Sequence, residues 1–288
     1  MKSVTRNMII AALVLMLCGA GFFVAGAATV GFDFSKMNTA GENMSEEYTI
    51  KDSFSKIAID VSTTDIEFAV SDSNDVKVRC DEKENVKHSV KVADDTLKIT
   101  LDDSRKWYER IFFSGFSGVK VTIYLPKDMA KLKGVLIETS TGDVKMNDLA
   151  IAGDLTIKGS TGDRVLNNIS VDGKFTFETS TGDIKVDNLS AASASFEGST
   201  SDIIINRLNV AGDFIADTST GDVKATLSDA ATVKINTSTG DVVCSFLTEK
   251  TIKADSSTGR IKLPDNTTSG GACSISTSTG NITVTYEK

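Results

Sequence analysis

Carboxylates recur in this chain at a spacing that could do chemistry. Asp143, Asp163, Asp183, Asp202, Asp222 and Asp241 follow one another at intervals of 19 or 20 residues. Stacked at the inter-strand distance of about 4.8 Å, such a row would hold pairs near the roughly 5 to 9 Å at which two carboxylates hydrolyse a glycoside. The same row of like charges could be bridged by calcium through its oxygen ligands. Both readings meet objections in the sequence itself. A general acid and its base need different surroundings, and here the surroundings repeat. The nonapeptide Gly/Asp pattern of calcium-binding rolls is missing.

Other constellations are thinner. His88 is the only histidine, so any Ser/His/Asp triad or His-based metal site would be built on it; within ENVKHSVKV it reads as an exposed strand residue. Cys80, Cys244 and Cys273 lack the paired C-x-x-C spacing of a zinc site or a disulfide framework and read as small core residues. No catalytic residue, cofactor or metal is expected. With 31 basic against 39 acidic residues, a formal charge of −8 and no basic run, nucleic-acid binding is excluded as a main function.

The aspartates close a repeated tetrapeptide. Ser-Thr-Gly-Asp begins at Ser140, Ser160, Ser180, Ser219 and Ser238, with variants at Ser199-Thr200-Ser201-Asp202, Ser257-Thr258-Gly259-Arg260 and Ser278-Thr279-Gly280-Asn281. A catalytic motif is needed once, so serial copies point to architecture. Ser140, Thr141, Gly142 and Asp143 form the type copy. Gly162, Asp163, Gly182, Asp183, Asp202, Gly221, Asp222, Gly240, Asp241, Gly259 and Gly280 are the equivalent turn positions. Glycine supplies a positive φ, while Ser, Thr and Asp side chains hold the turn through nearby backbone groups. At Ser201 a strained left-handed residue is expected, costing on the order of 1 kcal/mol.

Strands must lie on both sides of each turn, because apolar residues alternate there. The inward set in the copy of Ser180 is Phe175 and Phe177, then Ile184, Val186 and Leu189. Its equivalents are Leu155 and Ile157 with Val165; Ala194 and Phe196 with Ile203, Ile205 and Leu208; and Val233 and Ile235 with Val242, Cys244 and Phe246. Lys158, Glu178, Lys185, Asp187, Glu197 and Lys234 face outward. The expected fold is therefore all-β: a single-stranded, right-handed parallel β-solenoid with coils of about 20 residues. In that register Cys244 and Cys273 point inward two coils apart, roughly 10 Å and beyond disulfide reach. The first threonines of Thr139, Thr179, Thr218, Thr237 and Thr277 also point inward, which disfavours an ice-binding ladder.

The remaining segments divide as follows. Residues 1–7 are a cytoplasmic amino terminus, and Met8 to Val30 form an uncharged run of 23 residues, long enough to cross a bilayer. Lys2 and Arg6 before it and Asp33, Glu42, Glu46 and Glu47 after it put the downstream chain outside. The rival readings are a signal peptide cut after Ala25-Gly26-Ala27 and lipid attachment at Cys18, where Leu17 is an ill-suited neighbour. Residues 31–47 read as a stalk, 48–133 as an irregular β region, and 134–288 as the repeat solenoid. Trp107, Tyr108, Ile111, Phe112, Phe113 and Phe116 read as a lid over one end. At the other end the chain stops just after Val284 and Tyr286, so the last strand is expected to be an open edge suited to strand addition or end-to-end self-association.

SFSKIAIDVSTTDIEFAVSDSNDVKV, the stretch near Trp107, VKVTIYLP and the serial ETSTGDV and TSTGDI units together resemble the bacterial β-strand-repeat family classed as "putative adhesins" of unknown function. The likeness runs from about Tyr48 to Lys288. It implies a membrane-anchored envelope protein, and some members are encoded beside envelope-stress signalling systems. The expected function is thus non-enzymatic: a single-pass membrane protein with its solenoid outside the cell, binding an envelope component or protein partner. A polysaccharide-active β-helix enzyme using the solenoid-face carboxylates is the alternative.

Overall fold

The computed structural model describes residues 3–29, 31–32, 41–106, 118–127, 129 and 131–287. The aromatic lid expected at Trp107 to Phe116 lies outside them. Two compact units are present, one of residues 1–42, 83–86 and 103–117 and one of residues 43–82, 87–102 and 118–288.

The first unit contains the only helix among the described residues, α1, Ser3–Thr29. Among those residues no helix is long and apolar enough to cross a membrane. Backbone bonds from Glu84 N to Glu42 O and from Ser104 N to Asn85 O close the rest of the unit.

The second unit is all-β. Its strand structure starts earlier than the sequence pattern suggests: β1, Asn43–Ile50, begins within the stretch read as stalk and pairs with β4, Val76–Lys83. The repeats follow as β8 (Leu132–Thr141), β9 (Val144–Thr161), β10 (Arg164–Thr181), β11 (Ile184–Thr200), β12 (Ile203–Thr220), β13 (Val223–Thr239) and β14 (Val242–Phe246). Each of β9 to β13 is parallel to the next, and each residue sits on its counterpart one repeat later: Phe177 on Phe196, Ile184 on Ile203, Ile203 on Val223. One repeat is therefore one coil, interrupted only at the Ser-Thr-Gly-Asp corner.

Period-two alternation puts one side chain in two inside each coil. Phe175, Phe177, Phe196 and Phe214 are fully buried, and three of their rings touch, with centroids 5.1 Å apart for Phe175 and Phe196 and 5.9 Å apart for Phe196 and Phe214. Burying each such ring contributes about 1.5 to 3 kcal/mol. One part of the expected register fails. Val165 is only half-buried, and the inward residues of its coil are Arg164 and Leu166.

Both ends of the stack depart from sequence order. β2 (Lys56–Thr63) and β3 (Asp65–Ser71) make the first coil. It lies between β8–β9 on one side and β6 (Thr96–Asp103) with β7 (Lys120–Pro126) on the other. β4 then covers β7 in antiparallel fashion. At the far end, β17 (Gly271–Thr279) and β18 (Ile282–Tyr286) stack directly on β13 and β14. β15 (Lys250–Thr258) and β16 (Ile261–Lys262) stack outside them.

The last coil in the sequence is therefore the penultimate coil in space. The expected open edge at Val284 and Tyr286 is covered only in part: β18 pairs with β14 along Ile282–Tyr286 but with β16 only at Ile282 and Thr283, and the terminal coil is β15–β16. Lys250, Lys253, Arg260, Lys262 and Pro264 lie on or just after that coil, a composition that blunts an edge. Cys244 and Cys273 are correspondingly on adjacent coils, not two coils apart; both are buried and free.

Candidate functional site

The repeated corner forms a ridge along the solenoid. Gly142, Gly162, Gly182, Gly221, Gly240 and Gly280 have φ between 119° and 155°, a region that favours glycine. A second constraint comes from the neighbouring coil, since the coils touch there. A Cβ on Gly182 would lie 2.0 Å from Gly162 O, and one on Gly280 would lie 1.9 Å from Gly240 O. Gly259 does not have a positive φ, yet its Cβ would meet Gly280 O at 1.9 Å. Glycine is thus required by coil stacking as well as by the turn.

The aspartates bond between coils. The carboxylate of Asp65 accepts the backbone N–H of Asp143 at 2.9 Å, that of Asp143 accepts Asp163 N at 2.8 Å, and that of Asp163 accepts Asp183 N at 3.0 Å. Asp202 accepts Asp222 N, Asp222 accepts Asp241 N, and Asp241 accepts Asn281 N, at 2.9, 2.7 and 2.7 Å. Asp183 pairs with Lys185 at 3.5 Å. The buried first threonines turn inward: Thr139 and Thr179 bond the carbonyls of Thr141 and Thr181, while Thr237 and Thr277 bond Gly221 O and Gly240 O. The carboxylate-to-backbone bonds between coils are charge-assisted and belong to the stronger class of hydrogen bond.

Two coils break the consensus in compensated pairs. Arg164, fully buried, stands where neighbouring coils have Val144 and Ile184. Its Nη1 donates to Gly142 O at 2.9 Å, while Nε and Nη2 have no partner. Burial works against its positive charge, and Asp143, Asp163 and Asp65 oppose that effect. Room for the guanidinium exists because Gly159 replaces the inward threonine of Thr139 and Thr179; a Cβ there would sit 2.0 Å from Nη2. Gly198 likewise makes room beside Ser201, whose Cβ would be 2.9 Å away. Ser201 is not among the positive-φ residues, so the strain expected there is absent.

A second corner was not signalled by glycine. Asp148, Asn168, Asn188, Arg207 and Leu227 have φ between 50° and 61°. Asn168 Nδ2 donates to Asp148 Oδ1 at 2.8 Å and Asn188 Nδ2 to Asn168 Oδ1 at 3.0 Å. Asn and Asp tolerate this conformation best among residues with side chains; their recurrence one repeat apart was the available signal.

His88 and Cys80 also differ from expectation. His88 is buried, not an exposed strand residue, and Cys80 lies beside Glu82 and His88 as well as in the core. Burial and then the Glu82 charge push the Cys80 thiol up to about 12. Burial pulls His88 below its ordinary value, against the opposing contact with Glu82.

The fold is shared with solved structures. One from Parabacteroides distasonis, described as a "putative adhesin", matches 86% of this chain and 98% of its own at 16% identity and a TM-score of 0.50. Another from the same organism, described as a "putative lipid binding protein", matches 86% of this chain and 98% of its own at 19% identity and the same TM-score of 0.50. No curated protein matches the chain. The Toastrack DUF4097 model matches residues 54–285, from the first coil almost to the end of the stack. The chain belongs to the Toastrack DUF4097 family.

Proposed function

We propose that this protein is a non-enzymatic envelope module, tethered to the cell membrane by its amino-terminal apolar segment and presenting its solenoid flank to a surface partner. The carrying observation is the use of the ridge carboxylates. Asp143, Asp163, Asp202, Asp222 and Asp241 each accept a backbone N–H from the adjacent coil, so they serve as repeated structural acceptors in like surroundings. Such a row does not supply the two contrasting environments of an acid and a base.

The tether rests on the uncharged run of Met8 to Val30 and its flanking charges. Right-handed winding, part of the same reading, rests on the strong bias of parallel crossovers. The neighbour described as a "putative adhesin" agrees with a surface role. The test is to incubate the full chain in nanodiscs with purified cell-wall polymers and then sediment them. Retention of the protein without new reducing ends supports the proposal. Released sugars would replace it with the polysaccharide-active alternative, and absence of retention would reject wall polymers as the partner.

A further inference from the structure

Away from the ridge, three different metal-ligating side chains converge in the interior. Cys80 and Glu82 are two apart on β4 and share its inward face, and β5 (Val86–Ala93) brings His88 to them. All three are buried, Glu82 to 1% exposure. The Cys80 sulfur, a Glu82 carboxylate oxygen and a His88 ring nitrogen all lie within 4.8 Å of one another.

Ordinary hydrogen bonding accounts for part of this cluster. Glu82 Oε2 accepts the His88 backbone N–H at 2.7 Å and lies 3.1 Å from His88 Nδ1. Glu82 Oε1 has no partner, although it is buried. A buried, unpaired carboxylate oxygen is costly unless something else satisfies it.

A divalent ion would do so. In a tetrahedral site with metal–sulfur bonds near 2.3 Å and metal–nitrogen or metal–oxygen bonds near 2.0 to 2.2 Å, ligand atoms lie roughly 3.3 to 3.6 Å apart. The His88–Glu82 pair is already that close, and the cluster as a whole needs to contract by only about 1 Å to fit that geometry. Thiolate, carboxylate and neutral imidazole together carry two negative charges, so a dication makes the buried set neutral. Imidazole with thiolate selects zinc-like ions over magnesium or calcium.

The other ring nitrogen is also held. Thr64 Oγ1, fully buried, lies 3.1 Å from His88 Nε2. A hydroxyl there can accept from Nε2–H and leave Nδ1 free to ligate, the arrangement by which outer partners fix a ligating imidazole. Thr64 occupies the glycine place of the first corner, Ser62-Thr63-Thr64-Asp65, where Thr63 stacks beside Thr141. That corner gives up the repeated glycine for the side chain that orients His88.

We propose that Cys80, Glu82 and His88 bind one zinc-like divalent transition-metal ion, oriented by Thr64, with the remaining tetrahedral position open to water or a small anion. The experiment is to titrate the reduced full chain, stripped of metal, with cobalt(II) as the optical probe and zinc(II) as the competitor. The expected result is one equivalent of cobalt, a thiolate-to-cobalt absorption band in the near ultraviolet, its bleaching by zinc, and a higher melting temperature with either ion.

Cys80→Ser should abolish the band, while Cys244→Ser and Cys273→Ser should keep it. Thr64→Val should weaken binding by about 10-fold to 100-fold with the band retained. Glu82→Gln, which keeps the side chain's shape, should lose most of the zinc-induced rise in melting temperature even if Cys80→Ser does not fold. A wild-type chain with neither band nor melting shift overturns the proposal. So does a band that survives in folded Cys80→Ser, or an unchanged zinc effect in Glu82→Gln.

Discussion

The pairing of Gly159 with Arg164 can be tested by restoring the consensus in two steps. Arg164→Val alone removes a buried cation whose Nε and Nη2 have no partner, relieving roughly 1 to 3 kcal/mol per unpaired donor. It also leaves space, and large-to-small changes in a core cost about 2 to 5 kcal/mol. These opposing effects nearly cancel, so the single variant should stay within about 2 kcal/mol of the wild type. Gly159→Thr alone forces a Cβ to within 2.0 Å of Arg164 Nη2 and should destabilise by about 1 to 3 kcal/mol through overpacking. Together, threonine fills the space that arginine vacates, and the coil regains the arrangement of Thr139 with Val144. The double variant should therefore exceed the sum of the singles by about 2 to 3 kcal/mol, near the upper end of couplings between touching residues. Urea midpoints at an unchanged m-value measure each step. Additivity within about 0.5 kcal/mol would refute the claim that the two substitutions compensate each other.

Neighbouring residues should differ sharply in the coil of Ser180: Phe177→Asp buries an unpaired carboxylate and should cost several kcal/mol, whereas Glu178→Ala should cost under about 0.5 kcal/mol in the same melts. Amide exchange should be faster in Ile261–Lys262 than in Ile282–Tyr286, although the latter lies nearer the chain end; the reverse order would contradict the interleaved stack. Asp229 provides a pH prediction. Burial alone would raise its carboxyl, but hydrogen bonds from Lys250 and Thr248 and the Lys250 charge outweigh burial and hold it below its usual range. A depressed carboxylate stabilises the fold fully above its unfolded value of about 3.9, and that contribution fades as pH falls through the folded value. Asp229→Asn should remove this part of the acid dependence in melts below about pH 4. At neutral pH it should cost about 3 to 5 kcal/mol by leaving buried Lys250 unpaired, and an unchanged acid limb would reject the assignment.

The periodic part of the fold was legible because the same 20 residues recur with the same alternation; Phe175, Phe177 and Phe196 were placed correctly by counting. Val165 was misplaced because the charge on Arg164 makes its apolar neighbour look like the inward residue. Only the neighbouring Gly159 hints at the exchange. The order of the final coils was hidden for a different reason. Alternation specifies which face is buried and says nothing of which coil lies on which. Half-buried Ile252 and Ala254 and exposed Ile261 occupy places that Cys273, Ile275 and Ile282 fill more completely in the inner coil, and the basic residues with Pro264 were the readable mark of an outer one. Cys80, Glu82 and His88 could not be joined from spacing, because a hairpin brings them together and no short motif encodes it.

The interleaved end also constrains the order of events in which this protein becomes itself. A chain leaving a ribosome or a translocation pore presents β15–β16 before β17–β18, yet only the later segment belongs against β13–β14. Both segments carry a Ser-Thr-Gly corner and β alternation, so premature docking of β15 on β13 would form a shifted stack. Such a state is a kinetic trap of the kind repeat proteins are prone to. Until β17–β18 emerges, the slot must stay open or be reopened. The pair β17–β18 then acts as a keystone: it fills the slot after β15–β16 has been made, and its Tyr286 hydroxyl, bonded to Lys250 and Asn266, fastens the outer coil over it. Removal of β17–β18 would consequently take away the surface on which β15–β16 stacks.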